Sequence, residues 1–221
     1  MKQNTPEWHL ARLGKFTSSR LGDLLTAGRG KGEMFGQTAM TYINQVAAER
    51  KISRAFLSGE GLDLLIERMD ISSKSMRWGT DMEPFARDCY EETTGLKVSE
   101  AGFIEYNNYF GDSPDGIVYD SVHGKGTLEI KCPSMATHLL YCGIKTGEDL
   151  LRIEKGYYAQ CQGHIIANNA VWCDFVSYDP MQEETIHIVR IYPDEEMIQT
   201  ILTRLEAAER IIRDINSNMV A

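Results

Sequence analysis

Asp115, Glu129 and Lys131 are the residues of this chain whose types and spacing point to chemistry. They lie in residues 111–133, where Ser113-Pro114-Asp115-Gly116 is followed by Leu128-Glu129-Ile130-Lys131-Cys132-Pro133. Two carboxylates and the main-chain carbonyl of Ile130 are hard oxygen donors, a set that suits Mg²⁺ or Mn²⁺ better than Zn²⁺. An ammonium beside them is placed to orient or deprotonate a water and to stabilise negative charge developing at phosphorus. Such a short acid-acid-lysine pattern is common, and alone it describes equally well a turn at Asp115-Gly116 and the solvated face of a strand.

A hairpin must position these groups. Ile117–Tyr119 and Thr127–Lys131 are β-branched or aromatic runs, and His123–Gly126 supplies turn residues between them. The two-residue period of a strand puts Glu129 and Lys131 on one face and Leu128 and Ile130 on the other, toward the core. The second acidic candidate, Glu83, follows Ser75–Thr80 at the head of a helix expected to run to Thr94. There Thr80-x-x-Glu83 reads as a capping box with Pro84 tolerated in the first turn. Thr17-Ser18-Ser19 reads as a helix start, closed at Ala27-Gly28; near Arg12 and Arg20 it would offer an anion site.

The chain resembles the PD-(D/E)xK nucleases, and more narrowly the lambda-exonuclease-like (YqaJ-type) viral recombinases. Ser113–Gly116 with Leu128–Pro133 carries that signature. Four further stretches match in order: Trp8-His9-x-x-Arg12-Leu13-Gly14 with Thr17–Ser19; Trp78-Gly79 with Glu83 and Ala86-Arg87; Tyr157–Gln162; and Tyr178-Asp179-Pro180. The resemblance spans residues 8–215. It implies an α/β, restriction-endonuclease-like core, a mixed central β-sheet flanked by helices, and a single domain over residues 1–221. It implies a Mg²⁺-dependent exonuclease, with Mn²⁺ as a substitute, degrading the 5′-phosphorylated strand of linear double-stranded DNA. The 3′ overhang left would pass to a single-strand annealing protein.

By the same resemblance Asp115, Glu129 and the Ile130 carbonyl hold the metal, and Glu83 assists as a third carboxylate. Lys131 and Gln160 complete the catalytic set, while Arg12, Ser19, Arg29 and Ser113 receive the 5′-phosphate and DNA. It further implies a ring-shaped homotrimer. Two other readings stay open: a restriction-type endonuclease on the same core, and a non-catalytic scaffold that binds DNA ends. A closed circular duplex discriminates, because an exonuclease needs an end.

The totals agree with a nuclease. The chain has 221 residues, 43% of them hydrophobic, enough for one sizeable core. No apolar run approaches a membrane span, and no secretory segment is visible, so a soluble, cytoplasmic protein is expected. A net charge of −9 argues against nonspecific coating of nucleic acid, although residues 1–60 carry nine Lys/Arg against five Asp/Glu. Five cysteines without a C-x-x-C pair read as reduced core residues, with no disulfide or zinc role expected. His138 reads as a packing or surface residue, since no second His or Cys stands at metal spacing.

The remaining elements follow from periodicity. Helices are expected over 37–50 and 60–70, Arg29–Phe35 as a loop that includes Lys31, and one strand supplied by 97–99 and 102–106 pairing with the hairpin as a three-stranded antiparallel core. A loop and short helix should fill 134–151. A helix over 157–166 puts Gln160 and His164 on one face. Strands over 171–178 and 185–191 extend the sheet, and an amphipathic helix over 194–216 docks on it.

Overall fold

The computed structural model describes residues 1–30, 32–69 and 74–218, without the side chains of Ser75, Met76 and Asn218. Lys31 and the end of the helix expected over 60–70 lie outside the described residues.

The chain opens with α1 (Pro6–Arg12), β1 (Phe16–Thr17), a 3₁₀ turn over Ser18–Arg20 and the one-turn helix α2 (Leu21–Leu24). Helical structure thus begins at Ser18 as expected, but as a 3₁₀ turn, and it ends before Ala27-Gly28. The Thr17 side chain makes no capping bond and instead meets Ser19 and Tyr42, so the arginines, rather than a helix dipole, carry the positive charge here. Next come α3 (Gln37–Glu49), α4 (Gly59–Met69) and α5 (Lys74–Thr94). Because α5 begins at Lys74, Thr80 is not a cap and Pro84 lies in the helix interior, where it removes an N–H from the ladder beside Glu83.

The strands that follow are β2 (Val98–Ser99), β3 (Ile104–Glu105), β4 (Phe110–Asp112), β5 (Gly116–Asp120) and β6 (Gly124–Lys131). β5 and β6 form the expected hairpin, with Gly116 opposite Leu128. Its turn is tighter than the composition suggests, because Asp120 Oδ1 accepts from Val122 and His123 N–H and Gly124 takes φ 83°. β3 does not join this hairpin. It pairs with β4, which pairs in parallel with β1, to make a separate three-stranded sheet.

After β6 come α6 (Met135–Cys142), α7 (Gly147–Ile153), α8 (Lys155–Asn168), β7 (Trp172–Tyr178), β8 (Ile186–Ile191) and α9 (Glu195–Asn218). The main sheet has the order β2-β5-β6-β7-β8, with β6 and β7 parallel and the other neighbours antiparallel. The three-strand antiparallel unit is thus present as β2-β5-β6, without the 104–105 segment, and the parallel addition of β7 makes the sheet mixed. A parallel pair needs a crossover, and α6–α8 supply it.

Both faces of this sheet are covered, as the resemblance implies. Leu128, Ile130, Trp172 and Val176 pack with Ala86 and Tyr90 of α5 on one face; Cys173 and Phe175 pack with Tyr158 and Cys161 of α8 on the other. Tyr90 donates to Asp174 Oδ2 at 2.8 Å, and Arg190 bonds the same carboxylate, which fixes α5 to the sheet. α9, expected to dock on the main sheet, instead lays Ile201, Leu205, Ala208 and Ile212 into a third cluster with Phe16 of β1, Ile43 of α3 and Phe110 of β4.

Candidate active site

The two-residue period of β6 places Glu129 and Lys131 together, but their face is not solvated. α8 lies across it, and Glu129 is only 2% exposed. Gln160 Nε2 donates to Glu129 Oε2 at 2.7 Å, and His164 Nε2 meets the same oxygen at 2.6 Å, one helical turn further along. Lys131 Nζ pairs with the other oxygen, Oε1, and stands 4.5 Å from the Tyr157 ring centroid. Gln160 is therefore buried and holds a buried carboxylate, and the ordinary expectation of a solvated glutamine fails.

Asp115 enters from the start of β5. Its N–H donates to the Leu128 carbonyl at 3.0 Å, and its Oδ2 accepts from Ile130 N–H at 2.6 Å, which sets the carboxylate beside the Ile130 main chain. Gly116 is required next to it: a Cβ there would lie 2.3 Å from Val98 Cγ1. Glu83 arrives from α5 and is paired with Arg87, whose guanidinium also donates to the Asp115 carbonyl at 3.2 Å. Glu83, Arg87 and Asp115 line a cavity of about 250 Å³ with residues 1–4, where Gln3 Nε2 donates to the Ala101 and Pro114 carbonyls.

The electrostatics are those of crowded carboxylates. Burial first, then Glu129 and Glu83, push the Asp115 carboxyl well above its ordinary value. Burial also raises Glu83, with Arg87 pulling the other way. For Glu129 burial is outweighed by Lys131 and His164, which hold it low. Burial works against the Lys131 ammonium, yet Glu129 and Asp115 raise its pKa, so in this arrangement it is a hydrogen-bond donor rather than a base.

Buried carboxyl oxygens with too little nearby positive charge are a donor set that a hard divalent cation fits. Among the described residues Asp115, Glu129 and Glu83 do not present three oxygens within 4.8 Å of one another. Glu129 is turned onto Lys131, Gln160 and His164, and Glu83 onto Arg87.

A carboxyl with a raised folded pKa favours the folded state most while protonated, and that preference is lost as pH rises above the unfolded value of about 4. Asp115→Asn keeps an oxygen for Ile130 N–H and removes the charge. In chelator at neutral pH it is expected to raise the unfolding free energy by about 0.5–2 kcal/mol. The gain should shrink toward pH 4, and Mg²⁺ should stabilise the parent chain but not the variant. Denaturant titrations checking this would count against the crowding if the variant were no more stable than the parent.

Behind the carboxylates lies a layer that the sequence reading missed. His164 Nδ1 contacts both oxygens of Asp112, at 2.7 and 2.8 Å, and Asn168 Nδ2 donates to Asp112 Oδ2 at 2.7 Å. His164 thus bridges Asp112 and Glu129, both essentially inaccessible. The i, i+4 relation of Gln160 and His164 was the available signal.

The residues expected to receive phosphate divide. Ser113 Oγ accepts from Trp8 Nε1 at 2.9 Å and from Arg12 at 3.3 Å, and Arg12 lies over the Trp8 ring, 4.1 Å from its centroid. Arg12 also lines a cavity of about 130 Å³ with His9, Lys15, Thr17 and Arg20. Burial lowers the Arg12 pKa, with Tyr42, Asp112 and Glu49 opposing. Ser19 is exposed and lines a neighbouring cavity with Lys155 and Tyr157, while its hydroxyl touches Thr17 Oγ1 at 3.2 Å. Gly163 of α8 permits this approach, since a Cβ there would lie 2.6 Å from Ser18 Oγ. Arg29 is exposed and lines neither cavity.

The description of the YqaJ-like viral recombinase domain matches residues 7–170. The chain is 30% identical to LHK-Exo in its crystal structure with dAMP, over 97% of this chain and 96% of that one, with a TM-score of 0.73. It is 29% identical to the alkaline exonuclease LHK-Exo from Laribacter hongkongensis, over 98% of both chains, at a TM-score of 0.72. A phage-related exonuclease from Haemophilus somnus 129PT shares the fold at 18% identity, over 93% of this chain and 96% of that one, at a TM-score of 0.67. No curated protein matches the chain.

Proposed function

The chain belongs to the YqaJ-like viral recombinase family, and from that premise we propose that it is a Mg²⁺-dependent exonuclease that degrades the 5′-phosphorylated strand of linear double-stranded DNA. The observation that carries the reading is one convergence. Asp115, Glu129 and Lys131 meet at the end of β6, where α5 brings Glu83 and α8 brings Gln160. LHK-Exo, whose structure holds dAMP, is consistent with release of nucleoside monophosphates.

Asp115, Glu129 and the Ile130 carbonyl would hold Mg²⁺, for which Mn²⁺ can substitute, with Glu83 assisting. When bound, the ion supplies Lewis acidity toward the phosphate and lowers the pKa of water. The chain's own residues do the rest. Lys131 donates toward the attacking water and the phosphate oxygens, and its charge offsets negative charge developing at phosphorus. Gln160 and His164 hold Glu129 in one orientation, and Arg87 holds Glu83 and the Asp115 main chain. Arg12, with Ser113 two residues before Asp115, receives the terminal phosphate and so sets which bond reaches Lys131; Ser19 and Arg29 contact DNA farther out.

The same premise makes residues 1–221 one catalytic unit, assembled as a trimeric ring, that hands its 3′ overhang to a single-strand annealing protein in the cytoplasm of a bacterial host. No described helix is long and apolar enough to cross a membrane. The test is nucleotide release from a linear duplex with one 5′-phosphate end, in Mg²⁺ and in chelator, beside a closed circle. Release from the linear duplex alone, only with metal, supports the proposal. Cleavage of the circle transfers it to an endonuclease, and inertness toward both leaves a protein that only binds ends.

Arg12→Ala should reduce the preference for 5′-phosphate over 5′-hydroxyl ends by about tenfold or more, since a charged hydrogen bond contributes about 1.5–3 kcal/mol. Competition between the two duplexes measures the ratio. An unchanged ratio removes Arg12 from the pocket.

A further inference from the structure

We infer that Cys142, Glu184 and His187 form a zinc site apart from the candidate nuclease centre. One ligand atom from each lies within 4.8 Å of the other two, where the end of α6 meets the start of β8. A thiol, an imidazole and a carboxylate are a donor set for Zn²⁺ and a poor one for Mg²⁺.

The hydrogen bonding around the cluster points the same way. His187 Nε2 lies 2.7 Å from the Ile144 carbonyl, which only accepts, so that nitrogen carries the proton. In the neutral imidazole this leaves the Nδ1 lone pair aimed at Glu184 Oε1, 3.1 Å away. With the ring neutral two acceptors face each other, and a cation between them would take the place of the proton that otherwise makes this contact an ion pair. A metal-bound histidine commonly gives its second N–H to a main-chain carbonyl in this way.

A second layer braces the ligands. His138 is buried, and its Nε2 lies 3.5 Å from Cys142 Sγ and 2.7 Å from the Glu184 carbonyl, while its Nδ1 meets Ser177 Oγ at 2.8 Å. Zinc would displace the Cys142 thiol proton on binding. The Glu184 side chain is 59% exposed, so water completes the tetrahedron. The ion would tie the connection after α6 to β8, the edge strand of the main sheet. No sequence spacing reveals this set, because α6 and β8 come together only through the crossover.

Cobalt titration of the full chain tests it, because thiolate-to-cobalt charge transfer cannot come from the oxygen ligands of the nuclease centre. The expected result is a saturable charge-transfer band that Zn²⁺ abolishes. It should be lost in Cys142→Ser and His187→Ala and kept in Cys132→Ser, whose thiol lies near Glu83 and Asp115. Glu184→Gln, at an exposed position where folding is not at risk, should weaken zinc affinity by about 10–100-fold. Absence of the band, its loss in Cys132→Ser instead of Cys142→Ser, or unchanged affinity in Glu184→Gln would each overturn the site.

Discussion

Lys131→Ala is expected to slow nucleotide release by about 10²–10⁴-fold, the usual contribution of a positioned proton-handling or charge-stabilising group. The variant should still bind DNA ends. The structure makes this a clean test of chemistry. Removing the side chain takes away one partner of Glu129, but Gln160 and His164 still hold Oε2, so the carboxylate is not left unpaired. The Tyr157 ring loses its ammonium neighbour and keeps its edge and stacking contacts with Tyr141 and Phe175. Lys131→Arg retains charge but replaces a compact donor with a planar fork, and it should restore little of the rate. Single-turnover release with saturating enzyme, set beside end binding at the same Mg²⁺ concentration, separates the two effects. A variant that cleaves at the parental rate would remove Lys131 from the mechanism.

The hairpin was legible because a strand has the shortest of all periods. Once Leu128 and Ile130 are assigned to the core, Glu129 and Lys131 have one possible face, and the structure keeps them there. β8 and α9 were legible for the same reason, whereas β7 is buried along its whole length and shows as a run rich in apolar and aromatic residues. What periodicity does not name is a partner. Ile104–Glu105 has strand propensity, but it pairs with Phe110–Asp112, a segment that reads as the approach to a turn. The antiparallel three-strand unit was therefore right for Val98–Ser99 and wrong for Ile104–Glu105, and the mixed sheet implied by resemblance arises where β7 joins it in parallel.

Burial was the other blind spot. A polar helix face looks the same in sequence whether it meets water or a buried acid, and Gln160, His164 and Asn168 all meet acids or their partners. Pro84 misled in the opposite direction. Its usual place is a first turn, yet α5 continues ten residues ahead of it from Lys74, and the fixing of Tyr90 to Asp174 outweighs the local cost. The helix does start at Ser18, but as a 3₁₀ turn without a side-chain cap, because Thr17 spends its hydroxyl on Tyr42 and Ser19 rather than on a backbone N–H.

His164→Ala should be the most destabilising single change at the centre, costing about 3–5 kcal/mol, because it removes at once the charged partner that two buried carboxylates share, leaving Asn168 on Asp112 and Gln160 and Lys131 on Glu129. Burial alone would lower the His164 pKa, but Asp112 and then Glu129 raise it well above the ordinary histidine value. A base with a raised folded pKa stabilises fully below its unfolded value, about 6.5, and that contribution is lost as pH rises through the folded pKa. Glu129, held low, contributes above about pH 4.3 and loses its contribution as pH falls. The deficit of the variant should therefore be largest from weakly acidic to neutral pH and smaller in alkali, which denaturant titrations across that range would reveal. His164→Gln, able to give one N–H to Glu129 but no charge to Asp112, should recover part of the stability. Nuclease activity in Mg²⁺ should fall by about 10–100-fold in His164→Ala, the usual cost of losing a residue that orients a metal-holding side chain. A variant as stable as the parent at neutral pH would mean that Asp112 and Glu129 do not depend on the imidazole between them, and that Gln160 and Lys131 alone hold Glu129 in place.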